Sequence, residues 1–296
     1  MKVQILIDNI DGEVCNCEGS KVKLCPEWGL AAHIDFNGHK ILLDTGASAQ
    51  FTKNADAMGV DLTKVECGVL SHAHFDHADG LEAFFKANGR AKFYLREGAS
   101  ENCYSTRKFL KFFTRHKYIG IHRGWLERYS HRIEFVGGSA NSADSPVEIL
   151  PGVFLVGHSD AVLNAAGRAA IGKSVGQFVK ENGKFRPDSY DHEQSLVFDT
   201  SKGLFIMNSC SHGGADNIIK EVMAAFPGKN IYAMLGGFHL FKSPDEKVRA
   251  FAERLYELNV QKIYTGHCTG TRAFEILKDV LGDRAEQMHT GMEIEV

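Results

Sequence analysis

Apolar residues along the chain alternate between two periods. Lys2–Asp8 reads apolar at every second position, a half-buried strand. Residues 31–36 and 40–44 are two further strand-like runs around Asn37-Gly38, a dipeptide that favours a tight hairpin. Residues 49–58 then follow a helical spacing that stops at Gly59. Residues 65–70 form a continuous apolar run typical of a buried strand, and 81–88 a helix closed by Gly89. The layout recurs later. Residues 195–199 and 203–207 predict a hairpin, the run from Ala215 a helix ending near Pro227-Gly228, and 230–235 a buried strand. Two amphipathic helices, KVRAFAERLYEL and TRAFEILKDVL, flank the strand VQKIYT.

Each half therefore runs strand, turn, strand, polar tip, helix, strand, and then a tip with histidine. The first half has Asp44-Thr45-Gly46 and Ser71-His72-Ala73-His74. The second has Ser209-Cys210-Ser211-His212 and Gly236-Gly237-Phe238-His239. We read this as an internal duplication whose facing halves place the tips along one edge. The expected architecture is α/β, a four-layer αββα sandwich in a single domain over 1–296.

Residues about 100–145 break the pattern. Arg107, Lys108, Lys111, Arg115, Lys117, Arg123, Arg128 and Arg132 face only Glu101 and Glu127, with Phe, Tyr and Trp interleaved. We expect a helical insertion. It is either a solvated basic face or a lid in which Lys108, Lys111 and Arg115 receive an anionic, partly aromatic substrate. Residues 137–146 and 181–193 read as loops, the second near the site.

Composition narrows the function. The chain has 296 residues, 44% apolar, with a net charge of −3, which argues against a dedicated nucleic-acid or membrane-surface binder. No stretch approaches the roughly 18 apolar residues that span a bilayer. The first residues include Asp8 and Asp11 and do not resemble a signal peptide, so a cytoplasmic location is expected. Seven cysteines, an odd number, argue against a disulfide framework; Cys15, Cys17 and Cys25 read as free thiols rather than a zinc knot.

The densest chemistry is SHAHFDHADGL. His72, His74, Asp76 and His77 fall within six residues, directly after a buried strand and before a helix. Imidazole and carboxylate together suit Zn²⁺, with Mn²⁺ or Fe²⁺ as alternatives. Packed so closely, these groups would repel or desolvate one another without a cation between them.

The spacing HxHxDH resembles the metallo-β-lactamase superfamily. LLDTGAS, EWGL, NADAMGVDL, NSCSHGG, GGFHL and TGHCTG resemble one subgroup, labelled 7,8-dihydropterin-6-yl-methyl-4-(β-D-ribofuranosyl)aminobenzene-5′-phosphate synthase, over roughly 1–95 and 150–296. Ala73 and Ala78-Asp79 depart from that subgroup at non-ligand positions. The resemblance implies two metal sites, one on His72 and His74 completed by His212, the other on Asp76 and His77 completed by His267. Many relatives carry a bridging aspartate where this chain reads NSCSH, so one ion or two could bind; Cys210, near that position, could ligate as a thiolate but reads better as a small buried residue. The resemblance also implies a metal-activated water, with Asp76 among the catalytic groups, and hydrolysis of a phosphate ester or another anionic, pterin- or nucleotide-like molecule. We expect His239, opposite the ligand tip, to contact substrate or donate a proton, and His158 and His192 to line the pocket. Three alternatives stay open: the synthase-like transfer, an RNA-processing nuclease, and a non-catalytic metal-stabilised ligand-binding protein. A homo-oligomer is compatible with every reading.

Overall fold

The computed structural model describes residues 1–15, 21–109, 113–137, 146–158 and 176–296, and the side chains of 15, 107–109 and 113–114 lie outside that description. Two seven-stranded sheets dominate. The first runs, edge to edge, Ile133–Val136, Lys92–Arg96, Cys67–Val69, His39–Leu43, Ala31–Phe36, Lys2–Ile7 and Glu293–Glu295. The second runs Val147–Leu150, Val153–Gly157, Gln194–Thr200, Gly203–Met207, Ile231–Gly236, Lys262–Thr265 and Ala285–Gln287.

The duplication read from the sequence is explicit in the pairing. Starting from Glu293–Glu295, the first sheet makes three antiparallel and then three parallel pairings. Starting from Val147–Leu150, the second sheet makes the same series. Parallel pairing demands a crossover, and helices supply most of these connections. Gln50–Ala57 and Leu81–Ala87 cover the first sheet; Ala215–Ala225, Asp245–Glu257 and Thr271–Leu281 cover the second. One apolar cluster fills the space between the sheets, joining Val3, Ile5, Ile34, Ile41 and Leu43 to Leu196, Phe198, Phe205, Met207 and Leu235. Neighbours with opposite parity, such as Leu42, Leu6 and Val197, Ile206, face the helices instead. Both faces of each sheet are buried, which is why these strands read as continuous apolar runs. The layers are αββα, as expected. The first hairpin turns at Asn37 (φ 53°) and Gly38 (φ 89°), the positive pair that a two-residue turn requires.

The insertion corrects the expectation of a helical segment. Cys103–Phe109 and Phe113–Tyr118 form a hairpin, and Gln177–Glu181 and Lys184–Pro187 extend it to four strands. Tyr104, Thr106, Phe109, Phe113 and Tyr118 are aromatic or β-branched, and that strand preference outweighs the run of basic residues. Among the described residues of the insertion, helix is confined to Trp125–Arg128 and a 3₁₀ turn at Ser130–Arg132. The expected loop at 181–193 is in part strand, at Glu181 and Lys184–Pro187. Asn182 (φ 48°) and Gly183 (φ 80°) turn that second hairpin, a signal present in the sequence as Asn-Gly. Most of the expected loop at 137–146 lies outside the described residues.

Candidate metal centre

All the polar tips leave the sheets at one edge. Several residues there hold a left-handed backbone that side chains rarely adopt: Asp44 (φ 55°), Ser211 (φ 51°), His239 (φ 51°) and His267 (φ 45°). Strain of this kind persists where surrounding structure enforces it, and it gathers at functional sites.

The tips bring six predicted residues together. The His72 ring lies 4.5 Å from His74, 4.3 Å from His77 and 4.9 Å from His212, centroid to centroid. His74 lies 5.0 Å from His212, and His77 5.0 Å from His267. An Asp76 carboxylate oxygen stands 3.7 Å from His77 Nε2 and 3.6 Å from His267 Nε2. Four ring nitrogens, the Nε2 atoms of His72, His74, His212 and His267, are buried without any hydrogen-bond partner. A buried polar atom with no partner is costly, so four of them gathered at one sheet edge fit a cation as their common partner.

Hydrogen bonding on the far side of the rings sets the tautomers. Ser71 Oγ donates to Asp44 Oδ2 (2.7 Å), so it must accept from His72 Nδ1 (2.8 Å). His77 Nδ1 donates to Asp44 Oδ2 (2.8 Å), and His267 Nδ1 to Asn9 Oδ1 (3.1 Å). Each of the three rings therefore turns an Nε2 lone pair inward, the arrangement a metal-binding histidine needs. Burial, reinforced by the neighbouring rings, pushes His72 and His212 well below the ordinary histidine range. The same cause brings His74 down to about 3. These rings stay neutral and available as ligands at physiological pH. For His77, burial works in the same direction, but the carboxylates of Asp76 and Asp44 outweigh it and raise its pKa.

Residues not singled out as ligands hold the tips in place. Asp44 ties both halves together, accepting from Ser71 N (2.7 Å), Ser71 Oγ, His77 Nδ1 and Ser209 Oγ. Asp8 accepts from His267 N (2.9 Å), and burial raises its pKa to about 7. Glu193 accepts from His212 N (2.8 Å) and Gly213 N (3.2 Å). Tyr190 stacks on His212 at 4.5 Å and 4°. The polar Asp8-Asn9 pair at the end of the first strand was the sequence signal for part of this scaffold.

The expected pocket residues divide. His239 is exposed, 4.7 Å from the His212 ring and 5.4 Å from Phe241, at the mouth of the cluster. Trp28, 46% exposed, packs on His267 (5.2 Å) and Phe241 (5.6 Å) and gives the mouth an aromatic wall. His192 is buried with both nitrogens occupied. Its Nδ1 accepts from Ala73 N (3.1 Å), which leaves Nε2–H to donate to Asp188 (3.2 Å). It braces the ligand loop instead of facing a substrate. His158 is buried against Glu221 (2.6 Å) and Ser195 (2.8 Å), away from the rings. Glu221 and Ser195, both distant in sequence, absorb the His158 imidazole, while His192 is taken up by Asp188 four residues before it and by the distant Ala73 amide. Lys111 lies outside the described residues, as does the side chain of Lys108; Arg115 is exposed on the hairpin. The hairpin nevertheless reaches the ligand loop. Phe75 N donates to Ile119 O (2.9 Å), His74 pairs with Gly120, and Lys117 Nζ lies 5.8 Å from the Phe75 ring centre.

Comparison with known proteins decides the family. Residues 32–163 match the metallo-β-lactamase superfamily. The solved structure of Tm1679, a metal-dependent hydrolase of the β-lactamase superfamily, is 30% identical and superposes with a TM-score of 0.79, covering 100% of this chain and 99% of that one. The chain belongs to the metallo-β-lactamase superfamily. Within it, the chain is 28% identical to the 7,8-dihydropterin-6-methyl-4-(β-D-ribofuranosyl)-aminobenzene-5′-phosphate synthase of Methanocaldococcus jannaschii, over 87% of this chain and 85% of that protein. Zn²⁺-bound PqqB from Methylobacterium extorquens shares the superfamily fold at 13% identity and a TM-score of 0.54, covering 100% of each chain. Divalent metals are typical of this superfamily, and the His, Asp and Cys groups gathered at the sheet edge suit them. No helix among the described residues is long and apolar enough to cross a membrane.

Proposed function

We propose that this metallo-β-lactamase superfamily chain is a metal-dependent hydrolase acting on an anionic small molecule, a phosphate ester above all. The four unpartnered Nε2 atoms carry the reading. His72, His74 and His212 would hold one cation, and Asp76, His77 and His267 a second. Zn²⁺ suits this nitrogen-rich set best. A cation held there lowers the pKa of water and neutralises charge on the attacked group. Asp76 stands beside His77 and His267, where its carboxylate can accept a proton as well as bind metal. His239, exposed at the mouth, would donate a proton to the leaving oxygen. Trp28 and Phe241 offer faces for a ring, and Lys117 and Arg115 bring positive charge along the hairpin. We read 1–296 as one domain, its last strand paired to its first.

The test is turnover of phosphomonoesters and cyclic phosphodiesters by zinc-, manganese- and iron-loaded protein. Hydrolysis that a chelator abolishes and added metal restores is expected. Metal-loaded protein inert on every ester, or turnover indifferent to chelation, overturns the proposal. The similarity to the M. jannaschii synthase favours a second reading, transfer to a ribofuranosylaminobenzene phosphate. It predicts a dihydropterin-methyl adduct, detectable by mass spectrometry, in place of free phosphate.

A further inference from the structure

We propose that the Cys210 thiolate is a ligand shared by both cation positions. This rests on the metal-centre reading above and extends it to a residue outside the six histidine and aspartate ligands. Cys210 Sγ forms one group with His72 and His212, and another with His77 and His267; in each, the ligand atoms lie within 4.8 Å of one another. Among the described residues no other side chain belongs to both groups. Its sulfur is 3.4 Å from His77 Nε2.

Charge balance argues the same way. The three nitrogens of His72, His74 and His212 bring no anion, and Asp76 is the one anion among Asp76, His77 and His267. Two divalent ions held by one carboxylate would repel strongly in a buried site. A thiolate between them adds negative charge to both. The alternative, a small packing residue, fits poorly. Cys210 is 3% exposed, yet it belongs to none of the three apolar clusters, unlike Cys67 and Cys103. Its neighbours are ring nitrogens and the Cys268 sulfur at 3.5 Å. The tip is held rigidly, since Gly237 N donates to Ser209 O (2.8 Å) and Ser211 N to Asn208 Oδ1 (2.8 Å). On metal binding the thiol proton leaves to solvent. A sulfur donor biases the site towards Zn²⁺ or Fe²⁺ and against Mn²⁺.

The experiment strips the full chain with a chelator under reducing conditions and reloads it with Co²⁺ alone. Cobalt content and the near-ultraviolet sulfur-to-cobalt charge-transfer band are read together. The wild type is expected to bind cobalt and show the band. Cys210→Asp should keep the cobalt and lose the band, while Cys268→Ala should keep both. X-ray absorption on the zinc-loaded wild type, which needs no variant, should show metal–sulfur scattering. Cobalt bound without the band, or zinc bound without sulfur scattering, overturns this inference and leaves the metal centre standing. A band that survives in Cys210→Asp and vanishes in Cys268→Ala transfers the role to Cys268 and overturns it too. A wild type that binds no cobalt overturns both this inference and the proposed function.

Discussion

Asp44 is where the two halves of the sandwich are fastened together, and Asp44→Asn measures that fastening. The carboxylate is fully buried and takes four hydrogen bonds: the Ser71 amide on Oδ1, and the Ser71 hydroxyl, His77 Nδ1 and the Ser209 hydroxyl on Oδ2. Asparagine has one acceptor oxygen. With that oxygen in the crowded position, its NH₂ faces the Ser71 N–H, and a buried donor is stranded at a cost of roughly 1–3 kcal/mol. The remaining bonds lose their charge assistance, which about halves their strength. A total near 3 kcal/mol is expected, and at ~2–4 °C per kcal/mol the apo protein should melt roughly 6–12 °C lower. Asparagine tolerates the left-handed backbone at 44 (φ 55°), so the change isolates the acceptor. Asp44→Ala would add about 1 kcal/mol of backbone strain and blur the result. His72 and His77 both depend on this carboxylate for their tautomers, so zinc affinity should drop about 10–100-fold. Thermal denaturation of the apo protein and zinc competition against a chromophoric chelator provide the two readouts. An unchanged melting temperature with unchanged zinc affinity would refute the bracing role.

Other predictions follow from neighbouring features. His239→Ala should retain metal while kcat falls at least about tenfold, or ~1.4 kcal/mol of transition-state stabilisation; metal loss would make it a ligand, and unchanged kcat a structural residue. Burial, helped by Lys40, lowers His33 from 6.5 to about 4, so the unfolded chain binds more protons between those values. Its contribution is present in full above pH 6.5 and is lost as pH falls to about 4; 2.5 units at 1.36 kcal/mol each sets a ceiling of about 3 kcal/mol. Acid titration of the melting temperature should be flatter over that window in His33→Gln, and an identical slope would remove His33 from the account. Stripped of metal and treated with diamide, the chain should lose two hydrogens in mass as Cys210 and Cys268 join and the oxidant is reduced to its hydrazine; bound zinc should block this, and equal oxidation of both forms would contradict it.

What could be read from the sequence was whatever local spacing encodes. Strand parity, the Asn37-Gly38 turn, the glycine-ended helices and the repeated tips all depend on a few consecutive residues, and the sheets follow them. His72, His74, Asp76 and His77 share one loop, so their meeting needed no tertiary information. His158 and His192 show the limit. Each sits beside polar residues on a strand end, as a pocket histidine would, but Glu221 and Ser195 reach His158, and the Ala73 amide reaches His192, from distant parts of the chain, while Asp188, only four residues before His192, takes its other nitrogen. The basic segment failed for another reason. Its charge suggested a solvated helix, whereas alternate aromatic and β-branched residues pair with a strand about 70 residues later, from Gln177. Cys210 is the most instructive case. In NSCSH it reads as a small buried residue first and a thiolate ligand second, because nothing local tells a packed thiol from one beside a metal. The distinction arises only when the two halves close and the Cys210 sulfur comes within 4.8 Å of the ligand atoms of both the His72–His212 and the His77–His267 pair. Neither half holds enough ligands for a binuclear centre, so the halves must be docked before such a centre exists, and bound metal should stabilise their interface along with the tips.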